Sequence, residues 1–208
     1  MSVLDDIKES VITGNARKTK EYAEQAVAEG IEVGNILNDG LLAGMNYIGV
    51  RFKNNEVYVP EVLIAARAMH SGMAVIKQLI VSAGIQEKGI VVIGTVKGDM
   101  HDIGKNLVIM MMQGAGYKVI DLGIDVAAEK FIEAVEEHKP QIVCLSALLT
   151  TTMPQMKTIV ELLQPYSNVK VLIGGAPVTQ KYADDISAHG YAPDGASAVD
   201  KANELLVS

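Results

Sequence analysis

The residues best equipped for chemistry in this chain lie in one short stretch, Asp99-Met100-His101-Asp102-Ile103-Gly104. An imidazole offers a neutral nitrogen to a metal only while its other ring nitrogen keeps a proton, and a carboxylate two residues earlier can accept that N–H. Asp99 would then fix the tautomer of His101 and raise its basicity as a metal ligand. Gly104 has no side chain, so the backbone there can lie flat against a broad ligand. On the residues alone two readings stay open: His101 is a metal or cofactor ligand, or it is a loop histidine hydrogen-bonded to a nearby aspartate. Two nucleotide explanations fail on spacing, because Thr95 to Gly104 contains neither Gly-x-x-x-x-Gly-Lys-Ser/Thr nor Gly-x-Gly-x-x-Gly.

Such a loop needs rigid elements on both sides. Ile90 to Gly94 is a short β-rich run that leads into it, and Ile103 to Gly114 is an amphipathic helix that leads out. The alternation continues with strands at Tyr117 to Leu122, Gln141 to Ser146, Val169 to Ile173 and Gly190 to Pro193. Helices are expected at Val126 to His138, Pro154 to Tyr166, Thr179 to His189 and Ala196 to Val207. This is the sequence form of a flavodoxin-like, Rossmann-like α/β domain with a five-stranded parallel sheet, which binds ligands at the carboxyl ends of its strands beside the switch in strand order.

Before Gly84 the period is helical throughout. One helix carries Leu4, Ile7 and Val11 and stops near Gly14; a second carries Tyr22, Ala23, Ala26 and Val27 and stops at Gly30. A third runs from Val33 with Leu37, Leu41, Met45, Ile48 and Phe52 inward until Lys53 to Glu56, and a fourth starts at Pro60 and repeats Val62, Ala66, Met69, Met73, Ile76 and Ile80. Together they predict an all-α four-helix bundle. The expected domains are residues 1–86 and 87–208, with the boundary near Gln86 to Gly89.

The chain has 208 residues, 49% of them hydrophobic, so a sizeable core is expected. A formal charge of -7 and the absence of any basic run exclude a nucleic-acid partner. The lone Cys144 excludes internal disulfides and the usual Cys-rich metal ligand sets. No signal peptide and no uninterrupted apolar run of membrane-spanning length is read, which points to a cytoplasmic protein without a membrane partner. Cys144 reads as buried and inert, Met110 to Met112 as packing, and His70, His138 and His189 as without chemistry.

Asp99-x-His101-x-x-Gly104, followed by Ser146-Ala147-Leu148 after the third strand and Gly174-Gly175 after the fourth, resembles the cobalamin-binding signature of B12-dependent methyltransferases and mutases. Met45 to Phe52, and Val59-Pro60-Glu61-Val62 with Ala65 to Met69, resemble the helical cap of the methyltransferase branch, so the likeness covers essentially the whole chain. The resemblance implies a cobalt corrinoid, cobalamin or a relative, with His101 as lower axial ligand and Asp99 behind it. It implies that Gly98, Met100, Asp102, Ile103 and Gly104 surround the cofactor, and that Gly98, Ser146, Gly174 and Gly175 leave room for its nucleotide tail. Leu148 and Thr150 would line that slot. Thr152 stands where relatives complete an Asp-His-hydroxyl relay, its rival role being to start the next helix. Phe52 and Val59 match positions that cover the methyl face, their other reading being bundle core.

The same likeness implies a methyl carrier of anaerobic one-carbon metabolism, a component of an enzyme system. The methyl group is accepted on Co(I) from a substrate-specific methyltransferase and delivered from methyl-Co(III) to a second methyltransferase with a folate, methanopterin or thiol acceptor. A reductive activase would restore Co(I), and Gly84 to Gly89 would act as a hinge. The rivals are a corrinoid-binding light or B12 sensor and a flavodoxin-like signalling or nucleotide-binding domain with Asp99 as phosphoacceptor.

Overall fold

The computed structural model describes residues 2–207. Two compact units result: a helical one up to Glu87 that also takes in Gly114–Gly116, and an α/β one made of Lys88–Gln113 and the chain from Tyr117 onward.

In the helical unit, α1 (Val3–Ile12) starts at a Ser2 cap whose side chain accepts from the Asp5 amide while Asp5 accepts from the Ser2 amide. Asn15 caps α2 (Ala16–Ala28) from one side only, its Oδ1 accepting from the Lys18 amide. Both helices end at the expected glycines, Gly14 and Gly30, which adopt left-handed φ values of 70° and 74°. The third rod is not uniform. It opens with one α-turn, α3 (Val33–Asn35), widens into a π-helix over Ile36–Leu42, and resumes as α4 (Ala43–Lys53). Leu37, Leu41 and Met45 recur at a spacing of four, which the α-helical and the wider i→i+5 winding both follow closely, and all three are buried. This rod meets α1 closely: a Cβ on Gly44 would stand 2.7 Å from Val11 Cβ, and one on Gly40 would stand 2.9 Å from Ile7 Cγ2.

The fourth rod, α5 (Val59–Ser82), has Pro60 in its first turn and Glu61 accepting from the Tyr58 amide. By length and composition it is the one helix among the described residues that could cross a membrane. Val62, Ala65, Ala66, Met69 and Ile76 are instead buried within the bundle.

In the α/β unit the strands β1 (Ile90–Thr95), β2 (Lys118–Asp121), β3 (Ile142–Ser146), β4 (Lys170–Gly174) and β5 (Gly190–Ala192) form one parallel sheet in the order β2-β1-β3-β4-β5. Thr95 pairs with Ser146, Ser146 with Gly174 and Gly174 with Ala192, so four strands end at one level. The strand order reverses between β1 and β3, which is where a ligand crevice is expected. The helices α6 (Ile103–Gly114), α7 (Ala128–His138), α8 (Met153–Leu163), α9 (Gln180–Asp185) and α10 (Gly195–Val207) follow the strands.

α8 ends at Leu163 rather than Tyr166, and two further helix bounds that differ from the sequence reading have a visible cause. α7 begins at Ala128 rather than Val126, because Val126 prolongs the sheet through a parallel bridge to Val96. α9 stops at Asp185 rather than His189, because Ser187 turns left-handed and the His189 amide joins the sheet at the Val171 carbonyl. Phe131 is fully buried beneath β1, where a Cβ on Gly94 would stand 2.8 Å from its ring. The glycine makes space for the ring that anchors α7.

Candidate functional site

The loop after β1 is anchored before it turns: the Val96 amide donates to the Ser146 carbonyl at 3.0 Å. A turn then closes with the Asp99 amide on the Val96 carbonyl, and Gly98 takes its left-handed position with φ 84°. The sequence reading gave Gly98 the task of leaving space for a ligand. The structure shows a conformational task, since a Cβ there would meet only Thr152 Cγ2 at an ordinary 3.5 Å.

The turn drives Asp99 inward until it is fully buried. Its Oδ1 accepts from His101 Nδ1 at 2.7 Å and from the His101 amide at 3.2 Å. Its Oδ2 accepts from the amides of Leu148 at 2.7 Å and Leu149 at 3.2 Å, and from Thr152 Oγ1 at 2.8 Å. Burial acts to raise the Asp99 carboxyl, but the donors from His101, Leu148 and Thr152 together outweigh it and hold the group well below the usual carboxylate range. An ionised carboxylate can only accept, so in a neutral His101 ring the proton sits on Nδ1 and Nε2 keeps the lone pair. The His101 side chain is 50% exposed, and Thr95 Oγ1 holds its carbonyl at 2.8 Å. With both oxygens enclosed by donors, Asp99 has no free face for a phosphoryl group.

Beside the loop lies a groove of about 540 Å³ at the carboxyl edge of the sheet. Met100, His101, Asp102, Ile103 and Gly104 form one wall, and Ser146, Leu148, Gly174 and Gly175 form another, so these expected residues do converge. A Cβ on Gly104 would meet nothing within 4 Å, which leaves an open, flat surface beside His101. Gly174 and Gly175 owe their identity partly to the strands: a Cβ would stand 2.8 Å from the Ala192 oxygen at the first and 1.9 Å from the Ala147 oxygen at the second. Asp99 and Thr152 stand behind the groove rather than in its wall.

Thr150, expected in that wall, is exposed and outside it. Thr152 precedes α8 without a side-chain capping bond, its hydroxyl being committed to Asp99 and the Leu149 carbonyl. Phe52 at the end of α4 and Val59 at the start of α5 are half-buried, outside the fully enclosed bundle core. Cys144 is buried at the base of the groove and its thiol is pushed up to about 12 by that burial. Met111 and Met112 are buried packing residues. The His189 ring accepts from the Val171 amide at 3.0 Å, a structural bond.

Several contributors escaped the sequence reading. The Leu148 and Leu149 amides carry no side-chain signal. Lys105, 3% exposed, lines the groove and places Nζ 2.8 Å from both Asp121 Oδ1 and Asn106 Oδ1. Ala192 to Gly195 close the far wall, and only the strand order brings them there.

The donor set fits a metal that arrives already held in a planar ligand. Among the described residues no group of three or more His, Cys, Asp or Glu could hold an ion by itself. A single oriented imidazole beside an open glycine surface and an apolar groove suits a corrinoid.

Comparison with known proteins agrees with that fit. Residues 89–200 match a family described as B12 binding domain, and residues 3–77 match a second family of the same description. A corrinoid protein of Desulfitobacterium hafniense is 41% identical across 99% of this chain and 98% of its own length. Dimethylamine corrinoid protein 1 of Methanosarcina acetivorans is 42% identical across 98% of this chain and 97% of its own. The solved methanol:cobalamin methyltransferase complex MtaBC of Methanosarcina barkeri contains a chain that superposes with a TM-score of 0.89 at 29% identity, covering 99% of this chain and 80% of that one. With two matched domains, a helical unit ahead of a parallel sheet, and full-length relatives, the chain belongs to the corrinoid proteins of the B12-binding family.

Proposed function

We propose that this chain is a methyl carrier that would hold a cobalt corrinoid through His101 Nε2. The observation that carries the reading is the Asp99 to His101 pair: a buried, fully hydrogen-bonded carboxylate keeps the proton on Nδ1 and leaves Nε2 presented from a half-exposed ring. The cobalt of a bound corrinoid supplies the chemistry, by accepting a methyl group and later giving it up.

The protein's own residues orient and shelter. Met100, Asp102, Ile103 and Gly104 would lie along the corrin edge, while Ser146, Leu148, Gly174 and Gly175 would hold the tail in the apolar groove. Asp99 fixes the imidazole plane and strengthens its donation, and Thr152 steadies the other carboxylate oxygen. A methyl-supplying methyltransferase, a second methyltransferase that removes the group, and a reductive activase would be the partners, working in the cytoplasm. Relatives named for dimethylamine and for methanol both resemble this chain along its length, which supports a donor chosen by the supplying enzyme.

The test is to mix the cofactor-free protein with hydroxocobalamin, separate it by gel filtration and record the spectrum. The wild type should elute coloured with an imidazole-ligated spectrum. His101→Ala should retain some corrinoid but lose that spectrum, and an unchanged spectrum in the variant would remove His101 from the role.

A further inference from the structure

The turn that buries Asp99 is gripped from outside by a residue far away in sequence. Asp125 lies in the loop between β2 and α7, and its Oδ1 accepts from the Gly98 amide at 2.7 Å. Its own amide donates to the Asp99 carbonyl at 3.0 Å. The two bonds run in opposite directions and enclose residues 98 and 99, so they fix the tilt of the backbone from which the Asp99 side chain leaves. Asp125 holds a left-handed φ of 52° to make both bonds. A non-glycine residue keeps that conformation only where its surroundings demand it, and aspartate and asparagine tolerate it better than most.

The rest of this loop lies along the same segment. The Thr95 amide donates to the Gly123 carbonyl and the Val126 amide to the Thr95 carbonyl, each at 3.0 Å, and Val96 bridges Val126. Asp121 Oδ1 accepts from the Gly123 amide at 2.9 Å and from Lys105 at the other end of the ligand loop at 2.8 Å. The β2–α7 loop therefore clamps both the entrance and the exit of the His101 loop. Asp125 is the only member of the clamp whose side chain and backbone both bind next to Asp99.

We propose that Asp125 is a positioning residue of the His101 site, setting the share of molecules in which the imidazole is aligned with a bound corrinoid; the proposal rests on the functional reading above. Asp125 is not among the residues that line the groove, and its effect passes through its bonds to Gly98 and Asp99.

The experiment uses the full chain loaded with methylcobalamin, with the ratio of imidazole-ligated to unligated corrinoid read from the absorption spectrum. Thermal unfolding of the cofactor-free protein is recorded alongside. Asp125→Gly keeps the left-handed backbone but removes the acceptor, and should lower the ratio about tenfold. Asp125→Asn keeps an oxygen in the same place and should restore most of the ratio. Asp125→Ala carries no side-chain oxygen and gives a second removal of the acceptor should the glycine variant fold poorly. A wild-type ratio in folded Asp125→Gly or Asp125→Ala overturns the assignment while leaving the His101 reading intact. A wild-type protein whose spectrum matches that of His101→Ala overturns both.

Discussion

Thr152 Oγ1 stands 2.8 Å from Asp99 Oδ2, the carboxylate oxygen that does not hold the His101 ring. One buried carboxylate thus joins a hydroxyl ahead of α8 to an imidazole in the loop after β1. Thr152→Val keeps the shape and removes the donor, and should cost the cofactor-free protein about 1–2 kcal/mol in chemical denaturation. Corrinoid bound to it should show a reduced ligated fraction. Thr152→Ser should restore both readings, and a valine variant equal to wild type in both would mean the hydroxyl does nothing there.

Glycines at the two groove walls should behave oppositely. Gly175 has φ 128° and its Cβ would fall 1.9 Å from a carbonyl oxygen, so Gly175→Ala should lose several kcal/mol, roughly 3, or fail to fold. Gly104 lies in the first turn of α6 with open space beside it, so Gly104→Ala should leave stability unchanged or raise it by up to about 1 kcal/mol. Its methyl group would nevertheless stand where a flat ligand rests, and a corrinoid titration should show weakened binding. Unaltered affinity in Gly104→Ala would argue against contact at that wall.

Lys105 and Asp121 make an asymmetric pair, with side chains 2% and 42% exposed. Asp121→Ala leaves a buried ammonium with Asn106 as its remaining partner, and should destabilise the fold by about 2–3 kcal/mol. Lys105→Met removes the charge while keeping the stem, and should cost about 1 kcal/mol or less. Equal losses in the two variants, measured by urea denaturation, would contradict the asymmetry.

His189 gives the fold a pH dependence of known sign. Burial, helped by the positive charge of Lys170, holds its imidazole below the ordinary value, and its Nδ1 must stay unprotonated to accept the Val171 amide. Below about pH 6.5 the unfolded chain takes up a proton that the folded chain resists. Stability is therefore fully present above that pH and falls as the pH drops through it. His189→Gln should show a shallower loss between pH 7 and 5; parallel curves would exclude His189 as the cause.

The sequence revealed most where chemistry is local. Asp99 and His101 are two residues apart, so their pairing could be read directly, and the glycines at positions 14 and 30 marked helix ends because only backbone geometry was at stake. It revealed less where main-chain groups from another strand do the work. The Leu148 and Leu149 amides carry no residue signature. Thr150 and Thr152 could not be separated by type, and only the turn from Leu149 to Thr152, closed by a 3.1 Å bond, sends one hydroxyl inward and the other out. The π-helix at Ile36–Leu42 read as ordinary helix because four-residue spacing fits both windings loosely. Lys105 was hidden by its charge, which favours solvent until a partner such as Asp121 is brought alongside by the sheet.

The alignment of Thr95, Ser146, Gly174 and Ala192 at one height makes a level ledge from which every ligand-facing segment departs. Anything grafted onto that ledge inherits the same foundation, because the hydrophobic layers lie below it. Evolution, or a protein engineer, can thus rewrite what is held without disturbing what holds it.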